Sequence, residues 1–170
     1  MEIHNNSESY AVFLDASGTI LGGCSTNALG VQILPDAKNI LAAFRNRKIN
    51  NIPIKTGIIT NWGNRINAML RALNIDNCFD IIVSSDTVLK GKPDPTVFQH
   101  ACLLVDINIK NAIHIGDSLH DDALGAQHAG MHGIWIKRSQ YTHKDADLLK
   151  HPIFNNLDDA LGYISDVVIL

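Results

Sequence analysis

Five short runs rich in isoleucine and valine, at residues 10–14, 54–59, 80–83, 112–115 and 133–136, constrain the fold more than any other feature of the chain. Each is of strand length and has the composition of a strand buried on both faces. Between the runs, apolar residues return at helical spacing, as Ile40, Leu41 and Phe44, then as Ile66, Met69, Leu70 and Leu73. Asp94 followed by Pro95 reads as the cap and first turn of a third helix carrying Val97, Phe98, Ala101 and Val105, and Asp36 after Pro35 is the candidate cap of the first. Alternation of this kind predicts a three-layer α/β domain: a mostly parallel central sheet of about five strands, helices on both faces, and ligands at the carboxyl ends of the strands. Ile153 and Phe154 and a helix with Leu157, Ala160, Leu161 and Ile164 are expected to dock on it. Residues 1–9 are expected to form a disordered leader, residues 10–170 a single domain, and the polar stretch 137–150 a loop.

A chain of 170 residues suffices for one domain with a sizeable core. Its 14 lysines and arginines against 17 acids leave a net charge of −3 and no basic cluster, so a nucleic-acid footprint is absent. No apolar stretch has the length needed to cross a bilayer. The polar, acidic start lacks the basic and apolar regions of a secretory signal, which makes the cytoplasm the expected location. Cys24, Cys78 and Cys102 are odd in number and form no CxxC pair, which argues against a disulfide framework or a cysteine zinc site and for buried free thiols. His114, His120, His128 and His132 match no zinc-ligand spacing and read as solvated or structural.

The positions just after the strands are Asp15, Thr60, Lys92 and Asp117. Two carboxylates at one sheet edge can hold a hard divalent cation such as Mg²⁺, which takes oxygen ligands and keeps waters that a phosphate can replace. A lysine and a hydroxyl complete an anion site. One aspartate can then attack phosphorus and split a hard displacement into two easier ones. Singly, each residue has a plainer reading: an aspartate as a turn or cap, Thr60 as the cap of a helix starting at Asn61, Lys92 before Pro93 as a solvated loop residue. Their occurrence after separate strands favours a site. Trp62 either borders a substrate or packs over the first helical turn, the commoner arrangement.

These residues carry a family resemblance. Phe-Leu-Asp-Ala-Ser-Gly-Thr at 13–19, Gly-Ile-Ile-Thr-Asn at 57–61, Lys-Gly-Lys-Pro-Asp-Pro at 90–95 and Ile-Gly-Asp-Ser-Leu-His-Asp-Asp at 115–122 resemble the four motifs of the haloacid dehalogenase superfamily. The resemblance runs on through Gly125-Ala126 to Gly130-Met131 and covers roughly residues 10 to 138. It implies a Rossmann-like hydrolase that uses Mg²⁺, most readily a phosphatase for a phosphate monoester. By the resemblance, Asp15 is the nucleophile, Thr60 and Asn61 hold the phosphoryl group beside Ser17, and Lys92 steadies both. Asp15, Asp117 and the backbone carbonyl of Ser17 hold Mg²⁺. Asp122 matches the second acid of the fourth motif. The adjacent Asp121 can substitute for it, leaving one of the two as a helix cap.

Two departures qualify that expectation. Family phosphatases usually carry an aspartate where this chain has Ser17, to protonate the leaving group and then activate water, and loss of such a group costs about 10² to 10⁴ in rate. Slow turnover follows, or alternatively a catalytically impaired module that binds phosphate or a protein. The family's cation pumps resemble the chain in placing a hydroxyl residue there. Dehalogenation is the weaker option, because dehalogenases have a tyrosine there and lack the metal site. A phospho-receiver domain places its acceptor after the third strand, not the first. The second departure is length: 45 residues separate Asp15 from Thr60, leaving about 15, from Ile20 to Leu34, for a flap. A capless protein is therefore expected, open to a bulky substrate or covered by a partner subunit. Gly22, Gly23 and Gly30 permit a mobile hairpin flap or simply serve turn geometry.

Overall fold

In chain order, β1 (Tyr10–Leu14) leads to a hairpin of β2 (Leu21–Gly23) and β3 (Val31–Ile33), then α1 (Lys38–Asn46), β4 (Lys48–Ile49), β5 (Ile52–Thr60) and α2 (Arg65–Ala72). There follow β6 (Ile81–Ser84), the single turn α3 (Ser85–Val88), α4 (Pro95–Val105), β7 (Ala112–Gly116), a wide turn over Leu119–Leu124 continuous with α5 (Gly125–Ala129), β8 (His132–Ile136), β9 (Ile153–Phe154) and α6 (Leu157–Val167). The computed structural model describes residues 9–140 and 143–167. The expected leader at residues 1–9 lies, but for Ser9, outside the described residues.

Six strands pair in parallel in the order β6-β5-β1-β7-β8-β9, and β4 pairs antiparallel with the start of β5. The chain winds from β1 outward through β5 to β6, then crosses back to β7 on the other side. The carboxyl end of β1 is therefore the point where the winding reverses, the place at which such sheets bind ligands.

Side chains along β1 alternate between two cores, as the period of two requires. Val12 and Leu14 join Ile58, Ile115 and Ile134 beneath Ile40 and Phe44 of α1, Leu70 of α2 and Ile164 of α6. Ala11 and Phe13 join Ile59 and Val83 beneath Val97, Phe98 and Ala101 of α4 and Ala126 of α5. The three-layer reading follows from this, because an apolar sheet face is stable only when another element covers it.

Several local expectations change. The sheet has a sixth parallel strand: β9 pairs Ile153 with Trp135 and Phe154 with Ile136, and two residues are too few to show a strand pattern in sequence. Asp94 caps α4 as read, accepting the Thr96 N–H at 2.9 Å with Pro95 in the first turn. Asp36 does not cap α1, whose cap position is Ala37 with no side-chain hydrogen bond. Instead its carboxylate reaches across the fold, taking Arg138 Nη1 at 2.6 Å and the Leu157 N–H at the start of α6 at 2.9 Å. Cys78 and Cys102 are buried free thiols, but Cys24 is only half-buried. Residues 137–150 carry, among the described residues, one short 3₁₀ turn at Ala146–Leu148. No helix among the described residues is long and apolar enough to cross a membrane.

Burial by itself would raise the Asp36 carboxyl, but Arg138 and the Leu157 N–H overcome it and hold the group below its ordinary range. A depressed folded pKa stabilises the protein above the unfolded value, and that stability is lost as pH falls through the folded one. Asp36→Asn is therefore expected to cost about 1–3 kcal/mol near neutrality. In urea titrations the gap between variant and wild type should shrink once the pH drops below about 4, and a gap unchanged at pH 3 contradicts the assignment.

Candidate active site

Asp15 leaves the end of β1 with its backbone N–H donated to the Ile115 carbonyl at 2.9 Å, which fixes it between β1 and β7. The next residues turn tightly: the N–H groups of Ile20 and Leu21 both donate to the Ala16 carbonyl, and Gly18 N–H donates to Leu21. Gly18 has φ +77°, and a Cβ there would lie 2.1 Å from Asp117 Oδ2. Only glycine fits that turn against that carboxylate.

At the centre stands Lys92. Its Nζ lies 2.6 Å from Asp15 Oδ1 and 2.5 Å from Asp122 Oδ1, and all three residues are buried. Asp122 Oδ1 also faces His114 Nε2 at 3.1 Å, while Asp122 Oδ2 accepts the Ser118 N–H at 3.0 Å. His114 is fully buried, and burial pushes its pKa down. Its Nε2 therefore carries the proton that faces the acceptor-only carboxylate, while its Nδ1 has no hydrogen-bond partner among the described residues. Gly116 makes room for this cluster, since a Cβ there would sit 2.1 Å from Asp122 Cγ.

Three carboxylates face this one lysine. Burial pushes Asp15 up to about 7, with Lys92 pulling the other way and the Asp122 charge adding to the rise. Burial and the Asp122 charge also raise Asp117. For Asp122 burial is overcome by Lys92 and the His114 hydrogen bond, and its carboxyl falls below the ordinary range. Burial would lower Lys92, but the two carboxylates beside it raise it. One oxygen from each of Asp15, Asp117 and Asp122 lies within 4.8 Å of the others, an oxygen-only group able to hold a cation. Lys92, His114 and Ser118 already engage both Asp122 oxygens, so Asp15 and Asp117 are the freer donors.

Thr60 ends β5 almost wholly buried, and its Oγ1 accepts the Trp62 N–H at 3.1 Å. It caps a turn, not α2, and its own proton has no acceptor among the described residues. The Asn61 amide spans the backbone of Lys92, donating from Nδ2 to the carbonyl at 3.0 Å and accepting the N–H on Oδ1 at 2.7 Å. Asn61 thus positions Lys92, and with its backbone carbonyl accepting the Ser85 hydroxyl at 3.1 Å it keeps its second amide hydrogen for a bound group. Asp15, Ser17, Thr60, Asn61, Lys92, Asp117, Asp121 and Asp122 all line one open hollow of about 180 Å³. Ser17 is exposed within it, and Asp121 is half-buried with its N–H on Ser118 Oγ. A neighbouring hollow of about 330 Å³ shares Asn61 and Trp62 and continues over Arg65 and Met69, so Trp62 both borders open space and packs on the core.

Two supporting residues escaped the sequence reading. Thr19 is fully buried with Oγ1 3.4 Å from Asp15 Oδ2 and 3.3 Å from Asp117 Oδ1, so its one proton serves either acid. Arg138 holds the turn after β1 from outside, donating to the carbonyls of Gly18 at 3.0 Å and Thr19 at 2.7 Å. Arg138 follows β8, and applying the strand-end rule to that strand as well finds it.

A profile of haloacid dehalogenase-like hydrolases matches residues 26–136, about two-thirds of the chain. The chain belongs to that family. The match begins after the Asp15 segment. Haloacid dehalogenase-like hydrolase domain-containing protein 3 of Bos taurus is 28% identical over 138 residues, which are 78% of this chain and 53% of that protein. A glyceraldehyde 3-phosphate phosphatase of Pyrococcus furiosus is 34% identical over 94 residues, 54% of this chain and 39% of that protein. The chain thus spans about half or less of these relatives. Among solved structures, a HAD phosphatase from Thermococcus onnurineus superposes with a TM-score of 0.78 at 18% identity, covering 91% of this chain and 97% of that one. The fold is shared over nearly the whole of both. Between β1 and α1 the described residues hold the β2–β3 hairpin and no helical cap.

Because Asp15 is raised and Lys92 is held by two acids, the two should respond oppositely to removal. A raised carboxyl lends its stability below the unfolded pKa and loses it as pH rises through the folded one. In chelator, Asp15→Asn is expected to be more stable than wild type at pH 8, with the advantage fading toward pH 4. Lys92→Met is expected to lose about 3–5 kcal/mol, because it strands buried carboxylates. Denaturant melts of both variants check the pair, and the same sign of change in both at pH 8 would refute the charge balance described.

Proposed function

We propose that the chain is a Mg²⁺-dependent phosphatase that hydrolyses a phosphate monoester through an aspartyl-phosphate on Asp15. The observation that carries this reading is the Lys92 ammonium seated against Asp15 Oδ1, with Asp117 opposite across Thr19 and the Thr60 hydroxyl proton without an acceptor among the described residues. An oxygen-only donor set bearing more negative charge than one lysine balances fits Mg²⁺. Asp15, Asp117 and the Ser17 carbonyl would hold it. When bound, the ion supplies Lewis-acid neutralisation of phosphoryl charge.

Asp15 attacks the phosphorus and the ester oxygen leaves as an alkoxide that takes a proton from water in the open hollow, giving an aspartyl-phosphate and an alcohol. Thr60 donates its hydroxyl hydrogen to a phosphoryl oxygen, the Asn61 amide keeps Lys92 in register, and the Lys92 charge offsets that of the phosphorylated Asp15. Water then attacks the phosphorus and restores Asp15. This half-reaction needs a base, and Ser17 is a poor one. The Asp121 carboxylate, lining the same hollow, is the alternative base within the site. The glyceraldehyde 3-phosphate phosphatase among the relatives supports a phosphate ester as substrate class. The hollow over Trp62 and Arg65 suits the organic part of a bulky ester, with the β2–β3 hairpin or a partner subunit as cover.

Ser17 favours a second reading, in which the site binds a phosphate group or a phosphorylated protein with little turnover. Dehalogenation fits less well, because the acidic cluster suits a metal-assisted reaction.

Mg²⁺ should bind to wild type and not to Asp117→Ala in isothermal titration, and equal affinities would remove the metal assignment. Ser17→Asp should speed hydrolysis of the phosphoenzyme by up to about 10² to 10⁴, read from an aryl phosphate by single-turnover kinetics. Asp15→Asn should form no hydroxylamine-sensitive phosphoenzyme. If wild type forms none either but binds phosphate, the binding reading replaces the enzymatic one.

A further inference from the structure

His120 lies on the wide turn between Asp117 and Asp122, exposed, with its Nε2 3.1 Å from Asp145 Oδ2. The same carboxylate oxygen stands 3.9 Å from His143 Nδ1. The two imidazoles meet edge to face, centroids 4.9 Å apart at 69°. One ligand atom from each of the three residues lies within 4.8 Å of the other two. Ala146 and Leu149, just beyond, pack on Leu119, Ala123, Leu124 and Trp135. That contact brings two strong ligands from an irregular segment over the turn that carries the third.

We propose that His120, His143 and Asp145 form a second cation site, distinct in chemistry from the oxygen cluster of Asp15 and Asp117, that takes a borderline divalent ion such as Zn²⁺. Two imidazole nitrogens and one carboxylate oxygen are a zinc ligand set, and three protein ligands leave a fourth position to water. Around a tetrahedral ion with bonds of about 2.0–2.2 Å, ligand atoms stand roughly 3.4 Å apart. The His120–Asp145 pair already has nearly that spacing, and the His143–Asp145 pair needs a closure of about half an ångström. His143 Nδ1 accepts the Asp145 N–H at 3.3 Å, so this nitrogen is unprotonated, and ligating an ion exchanges that hydrogen bond for the metal bond. An ion here clasps residues 143–149 onto the turn that carries Asp117 and Asp122. The small apolar cluster beneath it includes Trp135, whose Nε1–H donates to the Asp117 carbonyl at 3.0 Å.

The test uses the full chain with Mg²⁺ in excess to occupy the oxygen cluster, and Co²⁺ and Zn²⁺ as probes. Wild type should give the intense visible absorption of four-coordinate Co²⁺, and Zn²⁺ should abolish it at one equivalent. His120→Gln and His143→Gln change exposed or half-exposed side chains, so folding should be kept. Each should weaken Zn²⁺ binding roughly tenfold or more in competition with a chromogenic chelator, while Asp117→Asn should leave it unchanged. Zn²⁺ should also slow amide exchange across 143–149 in wild type and in neither histidine variant. The proposal is overturned if Co²⁺ gives only weak six-coordinate absorption, if the histidine variants bind as wild type does, or if Asp117→Asn removes the site. In those cases the three side chains form an ion pair and no more. None of these outcomes depends on phosphatase activity.

Discussion

One buried ammonium organises the working end of this molecule. Lys92 comes from the loop before α4, and the carboxylates it meets come from the end of β1 and from the wide turn after β7, so three segments are held by one charge. The interaction is strong because it is dry: a cation flanked by two carboxylates in low dielectric is worth far more than the same group in water, and far more costly to leave unpaired. The pair does not neutralise the site. Asp15, Asp117 and Asp122 set three carboxylates against the one lysine, an oxygen cluster able to hold a cation.

Everything nearby serves to keep that charge cluster in register. Asn61 pins the Lys92 backbone with both ends of its amide, and His114 and the Ser118 N–H occupy the faces of Asp122 that Lys92 does not. Thr19 links the two acids by one hydroxyl, while Arg138 fastens their turn to β8 and, through Asp36, to the start of α6. The C-terminal helix is thereby tied to the turn after the first strand. Two glycines, Gly18 and Gly116, are there because a carboxylate stands where their side chains would be.

Much of the fold was legible because burial on both faces leaves a strong mark: the strand runs and helical stripes recur as β1, β5 to β8, α1, α2 and α4. What was illegible was short or non-local. β9 is two residues long, and its partner lies 18 residues upstream, so no local pattern announces it. Asp36 looks like a helix cap because it follows Leu-Pro at a helix start, and only the return of the chain at Arg138 and Leu157 gives its carboxylate better donors. Thr19 and Arg138 show the same limit: Thr19 reaches Asp117, and Arg138 the carbonyls of Gly18 and Thr19, across the site and far along the chain.

The sequence by itself determined the layered α/β architecture, the edge at which polar residues gather, and the identity of most groups in the hollow, because strand and helix periods and strand-end positions are local properties. Only the tertiary structure decided how those groups divide their work. It turned Asn61 toward the backbone of Lys92, gave Asp122 to Lys92 and His114, left Asp121 lining the hollow, and set His120 beside His143 and Asp145. Hydrogen bonds and burial act through space over a few ångströms, and which residues come that close is fixed by the winding of the chain, which spacing in sequence does not encode.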